Sequence, residues 1–422
     1  MKFAKLFQQA LSNEHIPPEW IDKAIQYKQL KKRINKVVSE LEEIGIHRDD
    51  ISYNDVEYDF QIGDDHRVHP HLRIRISPLI KSIIMDKLDT LHYTYQIEPL
   101  SVTEVSSANS AINPFDDTEP YYELKISLLE DAKFFQILYD EIEELNTFQE
   151  EQELRISGNV ERLANDISSL TIPNMKKSDM YVWREIFQHY IESEIFYSTL
   201  ERKAGNVDIE LSKERLILFC KHINEMHLLD KFKHKESVIA FTAFKNLNFN
   251  ILQVSTYQSF NTLAVTKILK KFDKQTQLVS KDVFPKILVT STASTTAAVN
   301  ILKGSIAQDI CFIISNKLLS IVPQIDDYLC PICCSIAFKP IRLGCGHLFC
   351  IRCLVKLRRK REDKCPLCRK ECLLGLTVDD LDGAMVNYMK TYFPKEVREK
   401  TMENDKEIWV EQYGDSKACV LQ

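Results

Sequence analysis

With 422 residues, 44% apolar and 27% charged, the chain can bury a sizeable core and fits two or three domains, which excludes collagen-like and wholly disordered classes. Its formal net charge of -6 gives no reason to expect nucleic acid. Of twelve cysteines, nine crowd between Cys330 and Cys372, leaving Cys220, Cys311 and Cys419 elsewhere. The start, MKFAKLFQQAL, is amphipathic, with no continuous apolar core and no small-residue cleavage site, so no secretory signal is expected. Apolar runs also stop short of the roughly 20 residues that cross a bilayer. A cytoplasmic or nuclear chain is therefore expected, and clustered thiols there bind metal more often than they form disulfides.

In chain order, residues 1 to about 48 read as helix, a break at Ile16-Pro17-Pro18, then helix again. Leu30, Ile34, Val37, Leu41 and Ile44 recur at spacings of three and four as one buried stripe, with Gly45 as its stop. Residues 51–120 read as an insertion: alternation over His71-Leu72-Arg73-Ile74-Arg75-Ile76 predicts a strand and Ser106-Ser107-Ala108-Asn109-Ser110 a loop. A long helix is predicted from Leu128 to about Leu170, with nine Asp/Glu against one Lys between Glu130 and Glu153 marking a solvated face. Further helices are predicted at 180–203, at 209–232, at 237–274 with a break near Asn246 to Asn250, and within 290–320. A cysteine-rich module at 326–372 and a charged, helix-capable tail at 373–422 complete the chain.

Within the module, Cys330, Cys333, Cys345, His347, Cys350, Cys353, Cys365 and Cys368 give C-x2-C, eleven residues, C-x-H-x2-C-x2-C, eleven residues and C-x2-C. Eight soft donors satisfy two tetrahedral Zn²⁺ ions, and a two-residue knuckle lets two thiolates reach one ion from the same side. Cys-Pro-Ile-Cys, Gly-His-Leu-Phe-Cys and Cys-Pro-Leu-Cys-Arg, in this order, resemble a RING finger of the three-Cys, one-His, four-Cys type. The resemblance implies a cross-braced fold with Cys330, Cys333, Cys350 and Cys353 on one zinc and Cys345, His347, Cys365 and Cys368 on the other. It further implies a ubiquitin-protein ligase without a covalent ubiquitin intermediate, which holds a ubiquitin-charged conjugating enzyme in a pose that a substrate lysine can attack. By position, Ile332 and Pro366 would form an apolar shelf for that enzyme, and Arg369 would bridge it to ubiquitin.

Simpler readings are packing over the zinc for Ile332 and Leu354 and a solvated charge for Arg369. Cys334 and Cys372 match no ligand position and read as ordinary thiols. The module is basic, with eleven Lys/Arg against three Asp/Glu over residues 330–371, but no aromatic residue interleaves with Arg358-Arg359-Lys360-Arg361. Specific nucleic-acid binding is not expected from it.

Lys267, Lys270, Lys271 and Lys274 fall at i, i+3, i+4 and i+7 of one helical face, with Val265, Ile268, Leu269 and Phe272 roughly opposite. A solvated face and a polyanion site both explain that stripe. MKFAKLF, PPEWIDKAIQYKQLKKRI, the helix from Phe134-Phe135 to Phe148, and FNTLAVTKILKKFDKQT resemble, in order, the motifs of the SPX domain. The resemblance covers most of residues 1–315 and implies a helical domain, a two-helix hairpin plus long helices, that binds inositol polyphosphates and above all inositol pyrophosphates. By motif position Tyr27, Lys31 and Lys271 would form the inner phosphate cluster, with Lys2, Lys267, Lys270 and Lys274 at the rim.

SPX followed by RING resembles the fungal SPX-RING ubiquitin ligases. The expected fold class is mainly α, a helical SPX domain followed by a small two-zinc RING. The implied function is a ligase regulated by inositol pyrophosphate that marks targets such as phosphate transporters in phosphate homeostasis. The alternative is a non-catalytic phosphate-sensing adaptor with a structural RING. The end, Cys419-Val420-Leu421-Gln422, fits the C-a-a-X pattern of farnesylation, and one prenyl chain would give weak, reversible membrane binding. His66, His69 and His71 lack a cysteine partner and read as ordinary polar residues.

Overall fold

The structure, a computed structural model, describes residues 2–13, 16–46, 56–62, 68–76, 78–99, 122–173, 177–196, 208–286, 306–373 and 380–413. It separates into two compact units. The first comprises Met1–Asn159, Phe196–Lys213 and Asn246–Phe312; the second comprises Val160–Ile195, Glu214–Lys245 and Ile313–Gln422.

The first unit opens with α1 (Lys2–Asn13), the single-turn α2 (Pro18–Asp22) and α3 (Tyr27–Ile44). The predicted stripe on α3 is fully in the core, and Gly45 ends the helix in the left-handed region at φ 94°. Its amide turns back onto the Leu41 and Glu42 carbonyls, the C-terminal arrangement that glycine adopts without strain. The chain between α2 and α3 is pinned by two long helices of 42 residues each, α5 (Leu129–Leu170) and α8 (Lys235–Thr276). The Ile25 amide donates to Asn261 Oδ1 at 2.9 Å and the Gln26 amide to Glu141 Oε2 at 3.0 Å. Trp20, Phe148 and Tyr257 pack their rings edge to face at 5.1–5.6 Å, and the Tyr257 hydroxyl donates to the Trp20 carbonyl.

The stretch read as an insertion, with the residues just after it, forms α4 (Pro78–Thr90) and an antiparallel sheet of order β1-β2-β4-β3, with β1 Val56–Ile62, β2 Val68–Ile76, β3 Tyr95–Pro99 and β4 Tyr122–Ile126. The predicted alternation holds on β2, where Val68, Pro70, Leu72, Ile74 and Ile76 turn to one buried face. Phe60 of β1 meets Phe135 at 4.6 Å, so the sheet packs on α5. His71 Nδ1 lies 3.0 Å from Ser127 Oγ and His69 is exposed, and among the described residues neither belongs to a group of metal-type donors. His66 and the Ser106–Ser110 loop lie outside the described residues.

In the second unit α6 (Met180–Glu192) and the larger part of α7 (Ile209–Glu225) pack together and against the start of α8 through Phe187, Tyr190, Phe219 and Phe244. The expected break in α8 near Asn246 to Asn250 is absent. Phe244, Leu247, Asn248 and Ile251 are all buried, and tertiary packing outweighs the modest helix propensity of asparagine. Helix α9 (Ile306–Lys317) precedes the cysteine module.

The module consists of the hairpin β5 (Pro340–Arg342) and β6 (Leu348–Cys350), followed by α10 (Ile351–Arg359). Residues read as a tail form α11 (Gly383–Tyr392) and α12 (Pro394–Tyr413). Met389 and Phe393 are buried in one cluster with Phe349 and Leu354 of the module, so the helices complete its core. Asp382 caps α11 by accepting from the Met385 amide at 2.9 Å, while its own amide bonds the Pro340 carbonyl of the hairpin.

Candidate functional site

The cysteine module brings its eight donors into two groups: Cys330, Cys333, Cys350 and Cys353, and Cys345, His347, Cys365 and Cys368. This is the interleaved pairing the RING resemblance implies. A Zn–S bond of about 2.3 Å and a Zn–N bond of about 2.0 Å set tetrahedral edges of roughly 3.8 Å between sulfurs and roughly 3.5 Å between sulfur and nitrogen. Cys333 Sγ lies 3.8 Å from Cys350 Sγ, and His347 Nδ1 lies 3.3 Å from Cys345 Sγ and 3.6 Å from Cys365 Sγ. The donor sets therefore fit two zinc ions.

The two Cys-Pro-aliphatic-Cys knuckles fold alike. The Cys334 amide returns to the Cys330 carbonyl at 2.8 Å and the Arg369 amide to the Cys365 carbonyl at 2.9 Å. Both residues sit in the left-handed region, at φ 53° and 60°. Backbone amides also point at sulfur, Phe338 to Cys350 Sγ at 3.1 Å and Cys350 to Cys330 Sγ at 3.4 Å, and so favour thiolate. The His347 amide likewise holds the Cys345 thiol down, at about 6.

Around the centre, Ile332, Pro366 and Arg369 are exposed, whereas Leu354 is buried and serves the core. Leu367, which occupies in the second knuckle the place of Ile332 in the first, is 52% exposed. The repeated Cys-Pro-Ile-Cys and Cys-Pro-Leu-Cys pattern could have singled it out. Cys334 is exposed, and Cys372 Sγ lies 3.9 Å from Cys345 Sγ beside the second donor set. Part of the basic surface is neutralised at home: Arg352, Lys356 and Arg359 of α10 pair with Glu407 and Glu411 of α12 at 2.7–3.2 Å.

In the first unit, Tyr27 at the start of α3 is buried against Phe3 of α1, ring to ring at 4.9 Å, and burial pushes its hydroxyl pKa up. Lys31 lies one turn along α3. The Lys271 ammonium is held below the usual lysine range, first by burial and then by the charges of Lys31 and Lys274. Lysines from α3 and α8 thus share one surface. Among the described residues, Lys31, Lys267, Lys270, Lys271 and Lys274 pair with no carboxylate. Like charges held together without counter-charges leave an anion-accepting patch. Lys2 lies on α1, with its side chain outside the described residues, as is Cys419. Among the described residues no helix is long and apolar enough to cross a membrane.

Comparison with known proteins agrees with both halves. The SPX domain pattern matches residues 1–287, and the C3HC4-type zinc finger (RING finger) pattern matches residues 330–368. The chain is similar to "Transcriptional regulator of yeast form adherence 3" of Candida albicans, 34% identical over 97% of both chains. It is similar to an uncharacterized RING finger protein of Schizosaccharomyces pombe, 31% identical over 97% of this chain and 96% of that one. "Probable E3 ubiquitin-protein ligase BAH1-like 1" of Oryza sativa subsp. indica is 25% identical over 39% of this chain and 60% of its own length. No solved structure matches.

Proposed function

The chain belongs to the SPX-domain family and carries a RING finger, and from that premise we propose a ubiquitin ligase governed by inositol pyrophosphate bound at the lysine patch. The chain is a RING-type ubiquitin-protein ligase, a transferase whose partners are a ubiquitin-conjugating enzyme and a protein substrate. Zinc, when bound by the two donor sets, supplies structural charge and fixes the knuckles. The chain's own residues do the positioning. Ile332, Pro366 and Leu367 present a shelf that the conjugating enzyme can cover, and Arg369 offers guanidinium donors at the rim of that shelf. Holding the charged enzyme in one pose lowers the barrier by restricting its freedom, without a covalent step on this chain.

The regulatory half is supported by one observation, the approach of Lys31 from α3 to Lys271 and Lys274 of α8, none of them paired with a carboxylate among the described residues. A ligand with many phosphates satisfies several ammonium groups at once, and the Tyr27 hydroxyl adds a neutral donor. Phosphate homeostasis, with phosphate transporters among the substrates, and a prenyl group on Cys419 belong to the same proposal. Titration calorimetry with an inositol pyrophosphate tests the sensor: binding is expected, with affinity lost in Lys270→Ala/Lys271→Ala, and equal affinity in that variant refutes the site. Autoubiquitination tests the shelf: Ile332→Ala and Arg369→Ala are expected to abolish chain formation with zinc content intact. Intact mass of protein from a farnesylating host tests Cys419, and an unmodified thiol with the last three residues present refutes it.

A further inference from the structure

Between the RING core and the helices that follow it lies a groove of about 520 Å³ that no zinc ligand lines. Its size falls in the range of ligand pockets, roughly 300–1,000 Å³. The walls are apolar, with Val355 from α10, Val386 from α11, and Val397 and Ile408 from α12. Among the polar side chains that line the groove, one is buried. Asn404 lines the groove and is only 5% exposed, yet its Nδ2 has no hydrogen-bond partner. A buried amide left unpaired weakens a fold, and leucine or alanine would suit this helical position better. The rim carries Lys339 and Lys390, both exposed and neither paired with a carboxylate among the described residues, against one exposed acid, Asp405, so the two ammonium groups outnumber the carboxylate. Arg352, also at the rim, is already committed to Glu407 and Glu411.

We propose that this groove binds a short segment of a partner protein that combines a bulky apolar side chain with acidic neighbours. The apolar side chain seats between Val355, Val386 and Ile408, a main-chain carbonyl accepts from Asn404 Nδ2, and a carboxylate meets Lys390 or Lys339. A lipid tail would fill the walls but leave the amide unpaired, and a nucleic acid has no aliphatic group to fill them. Peptide backbone supplies both the acceptor and the apolar side chain. That the segment belongs to a substrate rests on the ligase reading, so peptide binding is measured apart from ubiquitin transfer.

The test uses the zinc-loaded full chain and fluorescence anisotropy with a fluorescein-labelled Asp-Glu-Leu-Phe-Asp-Glu peptide. Saturable binding is expected, weaker by about tenfold or more when Leu-Phe is replaced by Ala-Ala or the acids by lysine and arginine. Asn404→Leu is expected to weaken the peptide while raising the melting temperature, a pair of effects that a merely structural asparagine would not give. Lys390→Glu, at an exposed position, keeps the test valid should Asn404→Leu fail to fold, and is expected to weaken the acidic peptide selectively. Absent binding, equal affinity for the control peptides, or indifference to both variants overturns the proposal. A dimer that Lys390→Glu dissolves would assign the groove to a second copy and overturn it as well.

Discussion

Arg352 Nε lies 2.7 Å from Glu407 Oε2, and the same guanidinium reaches Glu411 Oε1 through Nη2 at 2.8 Å. This fork ties the RING helix α10 to α12, some 50 residues later in the chain. Lys356 first, then Arg352, draw the Glu407 carboxyl down to about 2. A depressed acid stabilises above its ordinary pKa and loses that contribution as pH falls from about 4.5 towards 2. Glu407 is half exposed, and solvent screening holds the contribution to about 1 kcal/mol or less. Glu407→Gln should lower the melting temperature slightly at neutral pH, with the difference shrinking in high salt. Acid also strips zinc, so a salt series at pH 7 is the cleaner measurement.

Arg184 of α6 should be far less replaceable. It is 5% exposed, donates through Nε to the Pro323 carbonyl at 2.9 Å and through Nη2 to the Tyr392 carbonyl at 2.7 Å, and lies over the Phe393 ring. Arg184→Ala leaves two carbonyls unpaired and removes the cation 3.8 Å from Glu396 Oε1, and should cost on the order of 3 kcal/mol by chemical denaturation. Arg184→Lys should not restore it, because one ammonium cannot serve both carbonyls and stack on Phe393. Hydrogen exchange across 383–400 should rise in both variants.

Glu141 gives the first unit a pH dependence of opposite sign. Burial pushes its pKa up from 4.5 to about 7, against the bond from the Gln26 amide. The folded state therefore binds the proton more tightly than the unfolded chain, and stability falls as pH rises from about 4.5 to about 7. The swing is roughly 3 kcal/mol at most. Glu141→Gln can still accept from Gln26 and should flatten the profile, which urea melts between pH 5 and 8 will read.

Zinc removal should unmake one part of the fold selectively. Cys330, Cys350, Cys353 and Cys365 are buried in the same cluster as Phe349 and Phe393, so thiols left without metal would sit unpaired in an apolar core. A chelator should abolish ligase activity and expose α11 and α12 to proteolysis, while far-ultraviolet circular dichroism retains most helical signal from α5 and α8. Cys345→Ser should remove one of the two zinc equivalents, read by metal analysis.

Much of this was legible in the sequence where partners are local. The α3 stripe, the β2 alternation and the knuckle spacings depend on neighbours within a few residues. The four-stranded sheet was not legible, because β4 pairs with β2 across an interval of about 45 residues and β3 exposes most of its length. The residues of α12 read as a charged tail because Glu407 and Glu411 look solvated until Arg352 and Arg359 are set beside them. Helix α6 and α7 from Glu214 onward lie inside the SPX-matched range and fall in the same compact unit as the RING, a grouping made by contacts far apart in the chain. Leu367 has no place in the motif by position, and only the repeat of Cys-Pro-Ile-Cys as Cys-Pro-Leu-Cys sets it beside Ile332.

Both long helices begin on a carboxylate supplied from upstream. Glu40 accepts from the Leu129 and Glu130 amides at 2.6 and 2.8 Å, and Asp179 accepts from the Lys233 and His234 amides and the Ser237 hydroxyl at 2.6–3.1 Å. A 42-residue helix has no local reason to start at one residue rather than its neighbour, and these acids fix the starting turn. Each acid precedes its helix in the chain, so during synthesis the acceptor has left the ribosome before the donors that need it. Each long helix can then be anchored from its first turn onward, in the order of translation, without waiting for the RING to be made.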